Sequence, residues 1–100
     1  MTGRVSGKVV VVTGAASGLG EATARLMHAE GATVLLTDIQ HDRGERVVDE
    51  MGGRSRYLHC DVTAEPDVVH VVDTAVREFG RLDCMVSEAG RSGMPVVADR

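Results

Sequence analysis

Three glycines in the segment "TGAASGLG", Thr13 to Gly20, and one acid, Asp38, are the residues whose types and spacing could do chemistry. A bare loop between a buried strand and a helix lets backbone N–H groups come close to a phosphate. It does so at the helix end that carries partial positive charge. The same glycines would also serve a tight turn, so the loop takes its meaning from what accompanies it. Asp38 closes the next apolar run, close to the spacing of about 20 residues at which an acid meets the 2′-hydroxyl of an adenosine ribose. A carboxylate there accepts from free hydroxyls and repels a 2′-phosphate. The loop contains no G-K-[ST], so it lacks the phosphate-gripping lysine of a P-loop.

The elements that must position these residues follow from the switching of hydrophobic period. Lys8 to Thr13, "KVVVVT", is a continuous β-branched run and predicts a strand buried on both faces. Leu19, Ala22, Thr23, Leu26 and Met27 then recur at helical spacing, with Gly31 as the stop. Thr33 to Asp38 predicts a second strand. Asp42 to Met51 predicts a helix turning Val47, Val48 and Met51 inward and ending at Gly52-Gly53. Arg56 to Cys60 predicts a third strand. Thr63 is positioned to cap a helix that tolerates Pro66 in its first turn and turns Val68, Val72, Ala75, Val76 and Phe79 inward, with Gly80 as the stop. Leu82 to Ser87 predicts a fourth strand. The order β-α-β-α-β-α-β with right-handed crossovers gives an α/β fold, a doubly wound parallel sheet of about four strands, as one domain over residues 1–100.

Composition narrows the function classes. A 100-residue chain that is 43% hydrophobic and 26% charged is that of a folded globular module, with no room for a separate substrate domain. Only Tyr57 and Phe79 are aromatic, so Val, Leu, Ala and Met build the core. The net charge is −4 and the basic residues are scattered, which argues against nucleic acid as a partner. The valine run falls far short of a span of about 20 residues, so no membrane association is expected and the chain reads as cytoplasmic. Cys60 and Cys84 form no C-x-x-C pair, and His28, His41, His59 and His70 do not fall at zinc-ligand intervals. Packing and surface roles are therefore expected, and no metal.

"TGAASGLG" resembles the T-G-x-x-x-G-x-G cofactor motif of the short-chain dehydrogenase/reductase family. "CDVT", Cys60 to Thr63, is similar to the family's D-V pair, and "GRLDCMVSEAG", Gly80 to Gly90, to its G-x-L-D-x-L-V-N-N-A-G. The resemblance runs over residues 5 to 90. It implies a Rossmann-like sheet, here incomplete, and a nicotinamide dinucleotide as cofactor. By the same resemblance, Gly14, Ser17, Gly18, Leu19 and Gly20 line the pyrophosphate, Asp38 and Ile39 the adenosine ribose, and Asp61 and Val62 the adenine. Ala89 and Gly90 fall near the cofactor's middle. The family marks NADP use by a basic residue in the glycine loop or just after the second strand. "GAASGLG" has none and Asp38 is acidic, so NAD is expected over NADP.

The chain also departs from the family. Asn-Asn of the N-N-A-G motif is replaced by Ser87-Glu88, and an ionised Glu accepts but cannot donate. The family's chemistry, by resemblance, uses a Ser and a Tyr-x-x-x-Lys that pass a hydride between nicotinamide and a secondary alcohol or ketone. A tyrosine with a pKa of about 10 needs such a cation to act at neutral pH. Here Tyr57 precedes Asp61 by four positions and the lone Lys8 stands before the first strand, so no catalytic residue is assigned. The chain reads as the cofactor-binding half of an NAD-dependent oxidoreductase, inactive alone. The rivals are a non-catalytic nucleotide-binding module and an S-adenosylmethionine-dependent methyltransferase, and the T-G-x-x-x-G spacing disfavours the second. "RSGMPVVADR" reads as a loop that leaves the fourth strand at an open edge, so the isolated chain is expected to be marginal or to form a homo-oligomer.

Overall fold

A computed structural model of the chain describes residues 6–16, 18–87 and 96–99. β1 (Val9–Thr13) leads into α1 (Gly18–Ala29), β2 (Thr33–Asp38), α2 (His41–Met51), β3 (Ser55–His59), α3 (Glu65–Phe79), β4 (Cys84–Ser87) and β5 (Val96–Asp99). The sheet order is β3-β2-β1-β4-β5. The first four strands run parallel, with Val11 beside Leu35 on one side and Met85 on the other.

The valine run becomes the central strand because every one of its residues has a face to fill. Val10 and Val12 pack with Ala24 of α1, Val47 of α2, Val34, Leu36, Tyr57 and Val86 on one side of the sheet. Val9 and Val11 pack on the other side with Leu35, Leu82 and the α3 residues Val71 and Ala75. Burial on both faces is what a continuous apolar run in a parallel sheet requires. The buried hydroxyl of Thr37 donates to the Val12 carbonyl at 3.2 Å, so a polar side chain inside the sheet keeps a partner.

Three expectations are corrected. Residues 96–99 are not loop: β5 pairs antiparallel with β4, placing Ser87 opposite Val96 and Cys84 opposite Asp99. The fourth strand is therefore interior, and β5 takes its place at that edge of the sheet. At the opposite edge, β3 carries exposed Arg56 and His59, and such polar groups discourage edge-to-edge pairing. Second, of the α1 residues at helical spacing Met27 packs partly buried against the core, but the spacing does not mark the fully buried face. Gly20 and Ala24 are buried, whereas Leu19, Ala22 and Leu26 are exposed. The helix lies close to the sheet, so small residues fill its fully buried face, with Met27 partly buried beside them. In α3 the expected inward face holds for Ala75, which is buried with Val71 and Thr74, and for Val68, Val72 and Phe79, which pack partly buried against the core, whereas Val76 is exposed. Third, Thr63 does not cap α3, whose N-cap is Ala64. Asp61 captures it instead, accepting from the Thr63 hydroxyl at 2.6 Å and from its N–H at 2.9 Å.

Asp83 closes the ladder at the start of β1. Its Oδ2 accepts from the Val9 N–H at 2.8 Å, and its own N–H donates to the Val9 carbonyl at 2.9 Å. The Arg81 guanidinium, 2.6 Å from Oδ1, holds the carboxyl below its ordinary 3.8, with help from the Val9 N–H. A depressed carboxyl adds stability above its unfolded value and loses it as pH falls through the lower folded one. Asp83→Asn is therefore expected to lower the Tm at neutral pH, with the gap to the unsubstituted chain narrowing below pH 3.8. Thermal melts across that range check it.

Candidate cofactor site

The order β3-β2-β1-β4 changes direction at β1, and open α/β sheets bind ligands in the crevice at the carboxyl ends of the strands beside such a switch. The β1–α1 loop occupies that position. Gly14 takes φ +64° and Gly18 φ +59°, a region open to glycine. A Cβ added at Gly18 would meet nothing within 4 Å, so the helix's first residue faces open space. Gly20 is different. A Cβ there would lie 2.0 Å from the Gly14 carbonyl oxygen and 2.7 Å from its carbon. Its task in the fold is to let α1 close down on the loop.

Asp38, only 8% exposed, reaches from the end of β2 to that loop. Its Oδ2 accepts from the Ala16 N–H at 3.0 Å and its Oδ1 from the Gln40 N–H at 2.9 Å. A carboxylate has about four acceptor positions, so two backbone donors leave room for ligand hydroxyls. The backbone of Asp38 is held as firmly: its carbonyl accepts from the Tyr57 hydroxyl at 2.7 Å and from the Cys60 N–H at 3.1 Å. Burial and the nearby Asp38 charge push the Tyr57 phenol up to about 12, so it stays a neutral donor.

Leu19, Ile39 and Val62 follow the carboxyl ends of β1, β2 and β3, with exposures of 52%, 64% and 37%. Large apolar side chains left in water along one rim suit a flat apolar ring. Beside Val62, the Thr63 hydroxyl and N–H hold the Asp61 carboxyl below its ordinary range. The Asp61 N–H in turn donates to Asp67 Oδ2 at 3.0 Å, fixing the turn. The structure thus brings Gly14, Gly18, Leu19, Gly20, Asp38, Ile39, Asp61 and Val62 to the carboxyl ends of three adjacent strands. Ser17, Glu88, Ala89 and Gly90 lie outside the described residues.

Arg43 belongs to this place and was not singled out in the sequence. From the first turn of α2 its Nε donates to the Ala16 carbonyl, and its Nη2 stands 3.3 Å from Glu21 Oε1. Asp38 and Arg43 therefore grip opposite ends of one residue, Ala16. A cation in a helix's first turn opposes the helix dipole, and that misfit was the signal available in the sequence.

A family model described as short chain dehydrogenase matches residues 8–99. The chain belongs to that family. This short-chain dehydrogenase chain is 48% identical over 96 residues to "Tropinone reductase-like 1" of Erythroxylum coca, covering 93% of this chain and 35% of the relative. It is 52% identical over 93 residues to "Momilactone A synthase" of Oryza sativa subsp. japonica, covering 92% and 34%. The chain thus spans 34–35% of the length of these curated relatives. Among solved structures, a short chain dehydrogenase from Mycobacterium smegmatis matches with a TM-score of 0.83 at 37% identity, covering 90% of this chain and 40% of that one. A 3-ketoacyl-(acyl-carrier-protein) reductase from Brucella melitensis, solved in complex with NADH, matches with a TM-score of 0.76 at 37% identity, covering 79% and 32%. These matches confirm the Rossmann-like α/β fold. Among the described residues, no helix is long and apolar enough to cross a membrane.

Proposed function

We propose that this chain is the NAD-binding part of a cytoplasmic oxidoreductase that passes a hydride between the nicotinamide and a secondary alcohol or ketone. The observation that carries the reading is the Asp38 carboxylate, pinned against the Ala16 N–H with acceptor capacity to spare. In this reading Gly14, Ser17, Gly18 and Leu19 meet the pyrophosphate, Asp38 and Ile39 the adenosine ribose, Asp61 and Val62 the adenine, and Ala89 and Gly90 the cofactor's middle. Gly20 serves by bringing α1 down onto the loop.

The residues here bind and orient, and the site's features fit a dinucleotide. The open space at Gly18 admits a phosphate to the α1 N-terminus, where backbone dipoles favour negative charge. Asp38 accepts from ribose hydroxyls and repels a 2′-phosphate. Ile39 and Val62 exclude water from the adenosine. When bound, the nicotinamide supplies the acceptor or donor of a hydride. No Tyr-x-x-x-Lys occurs in residues 1–100, so we assign the proton transfer to none of them.

Titrating the purified chain with NAD, NADP and S-adenosylmethionine by calorimetry tests the reading. NAD is expected to bind more tightly than NADP, and S-adenosylmethionine not to compete. Equal affinity for the two dinucleotides would overturn the NAD assignment, and displacement by S-adenosylmethionine the oxidoreductase one.

A further inference from the structure

Glu21 is an acid in the first turn of α1, the helix whose N-terminus is proposed to meet a pyrophosphate. A carboxylate in a first turn suits the helix dipole, but here it lies one turn from where the ligand would bring its own negative charge. Its two oxygens are divided between arginines of different helices. Oε1 stands 3.3 Å from Arg43 Nη2 of α2, and Oε2 accepts from Arg25 Nε of α1 at 2.9 Å. Arg25 in turn reaches Glu50 Oε1, near the end of α2, at 2.5 Å. The Glu21 side chain is 22% exposed, against 46% for Arg43 and 37% for Arg25, so the carboxylate is the shielded centre of the group.

Arg43 carries this arrangement to the glycine loop. Its Nε donates to the carbonyl of Ala16, a residue buried completely. A buried carbonyl that loses its donor costs about as much as the lost hydrogen bond, so the loop keeps its shape best while the guanidinium stays in place. A guanidinium presents its N–H groups in a rigid fork, and a hold on Nη2 therefore also sets where Nε points. Released from that hold, a half-exposed arginine gains rotamer freedom by leaving the carbonyl. We propose that Glu21 is a positioning residue of the cofactor site: it keeps the Arg43 guanidinium on the Ala16 carbonyl, and so fixes the loop backbone that receives the pyrophosphate. The inference rests on the dinucleotide reading above.

The sign of the effect separates this role from direct electrostatics. If Glu21 acted on the ligand through its charge, removing that charge would tighten binding of a diphosphate. Acting through Arg43, its removal weakens binding. It weakens NAD and NADP by the same factor, because the pyrophosphate is common to both.

The test titrates NAD and NADP by calorimetry into the purified chain, Glu21→Gln, Glu21→Asp, Arg43→Ala and Glu21→Gln with Arg43→Ala, with urea melts on each. Glu21→Gln is expected to weaken both dinucleotides about threefold to fivefold, the size of a partly exposed ion pair. Glu21→Asp keeps the charge but sets the carboxylate back by one methylene, and it should weaken them as well. Arg43→Ala should do the same. Adding Glu21→Gln to it should cost no further affinity, although the melt should still record the loss of a first-turn acid. Arg77→Ala, which breaks an exposed ion pair with Asp73 on α3, is the control and should leave NAD affinity unchanged. Tighter NAD binding by Glu21→Gln overturns the proposal, as does unchanged binding by the folded Gln and Asp variants. A Glu21→Gln cost that persists in full without Arg43 also overturns it, since α1 is then loosened by another route. Where the unsubstituted chain binds NAD, these outcomes strike this inference alone. A folded unsubstituted chain that binds neither dinucleotide removes the reading beneath it as well.

Discussion

Gly20→Ala is expected to destabilise the chain by about 3 kcal/mol, the upper part of the usual range for overpacking, and to abolish measurable dinucleotide binding. The new Cβ would stand 2.0 Å from the Gly14 carbonyl oxygen, 2.7 Å from its carbon and 3.2 Å from the Ala15 Cα. All three are backbone atoms, so no rotamer change can relieve the overlap. Either α1 lifts from the sheet, uncovering Ala24 and part of the core over Val10 and Val12, or the loop moves. The second route turns the backbone donors away from the phosphate position. It also pulls the Ala16 N–H from Asp38, exposing a buried carboxylate to the loss of a partner. Urea melts and calorimetric titration with NAD read the two effects. Gly53→Ala is the control: its Cβ would meet nothing within 4 Å, and a shift within about 0.5 kcal/mol is expected. A Gly20→Ala chain that melts and binds like the unsubstituted one would show that the close approach to Gly14 is not needed.

This use of Gly20 marks the boundary of what the sequence discloses. The β2 limits, Thr33–Asp38, and the helix stops at Gly31, Gly52 and Gly80 were legible because each depends on a local rule. A β-branched or apolar run makes a strand, and a glycine at positive φ ends a helix. The fully buried face of α1 was not legible. Hydrophobicity ranks Leu19 and Leu26 above Gly20 and Ala24, yet closeness to the sheet reserves that face for the small residues and sends the leucines outward. Sequence spacing reports which residues share a face, not how near that face comes to its neighbour. β5 was hidden for another reason: its four residues carry little periodicity, and its pairing with β4 crosses the stretch 88–95.

The site divides in the same way. Gly14, Gly18 and Asp38 were readable because strand end, loop and helix start come in order along the chain. Arg43 arrives at Ala16 from a different element, so a search of the loop for basic residues passes over it. Asp61 was read as a residue facing the adenine, and the structure adds that its carboxylate also builds the turn by taking both Thr63 donors. A single Asp can therefore shape the loop at which the adenine is proposed to sit.

Gly44→Ala should show the reverse of what helix propensity teaches. Alanine in place of glycine inside a helix ordinarily stabilises by about 1 kcal/mol. At this position the added Cβ would fall 2.1 Å from Cε1 and 2.2 Å from Cδ1 of Tyr57. The ring has little freedom to yield. Its hydroxyl is tied to the Asp38 carbonyl at 2.7 Å, its edge meets the His41 ring at a centroid distance of 5.3 Å, and its body lies in the core with Val47 and Leu36. Displacing it leaves a buried phenol short of its acceptor and loosens the backbone that presents Asp38 to the glycine loop. A net loss of about 2 kcal/mol is expected once the propensity gain has been offset. The decisive measurement is the same substitution in a Tyr57→Val background, where the obstructing ring is gone. There Gly44→Ala should become neutral or stabilising by up to about 1 kcal/mol, a reversal of sign that only direct contact between the two positions produces. If the cost is equal in both backgrounds, Gly44 is required for some reason other than the ring. If it reverses, the tyrosine that holds the backbone of Asp38 is itself held in place by the absence of a methyl group on α2.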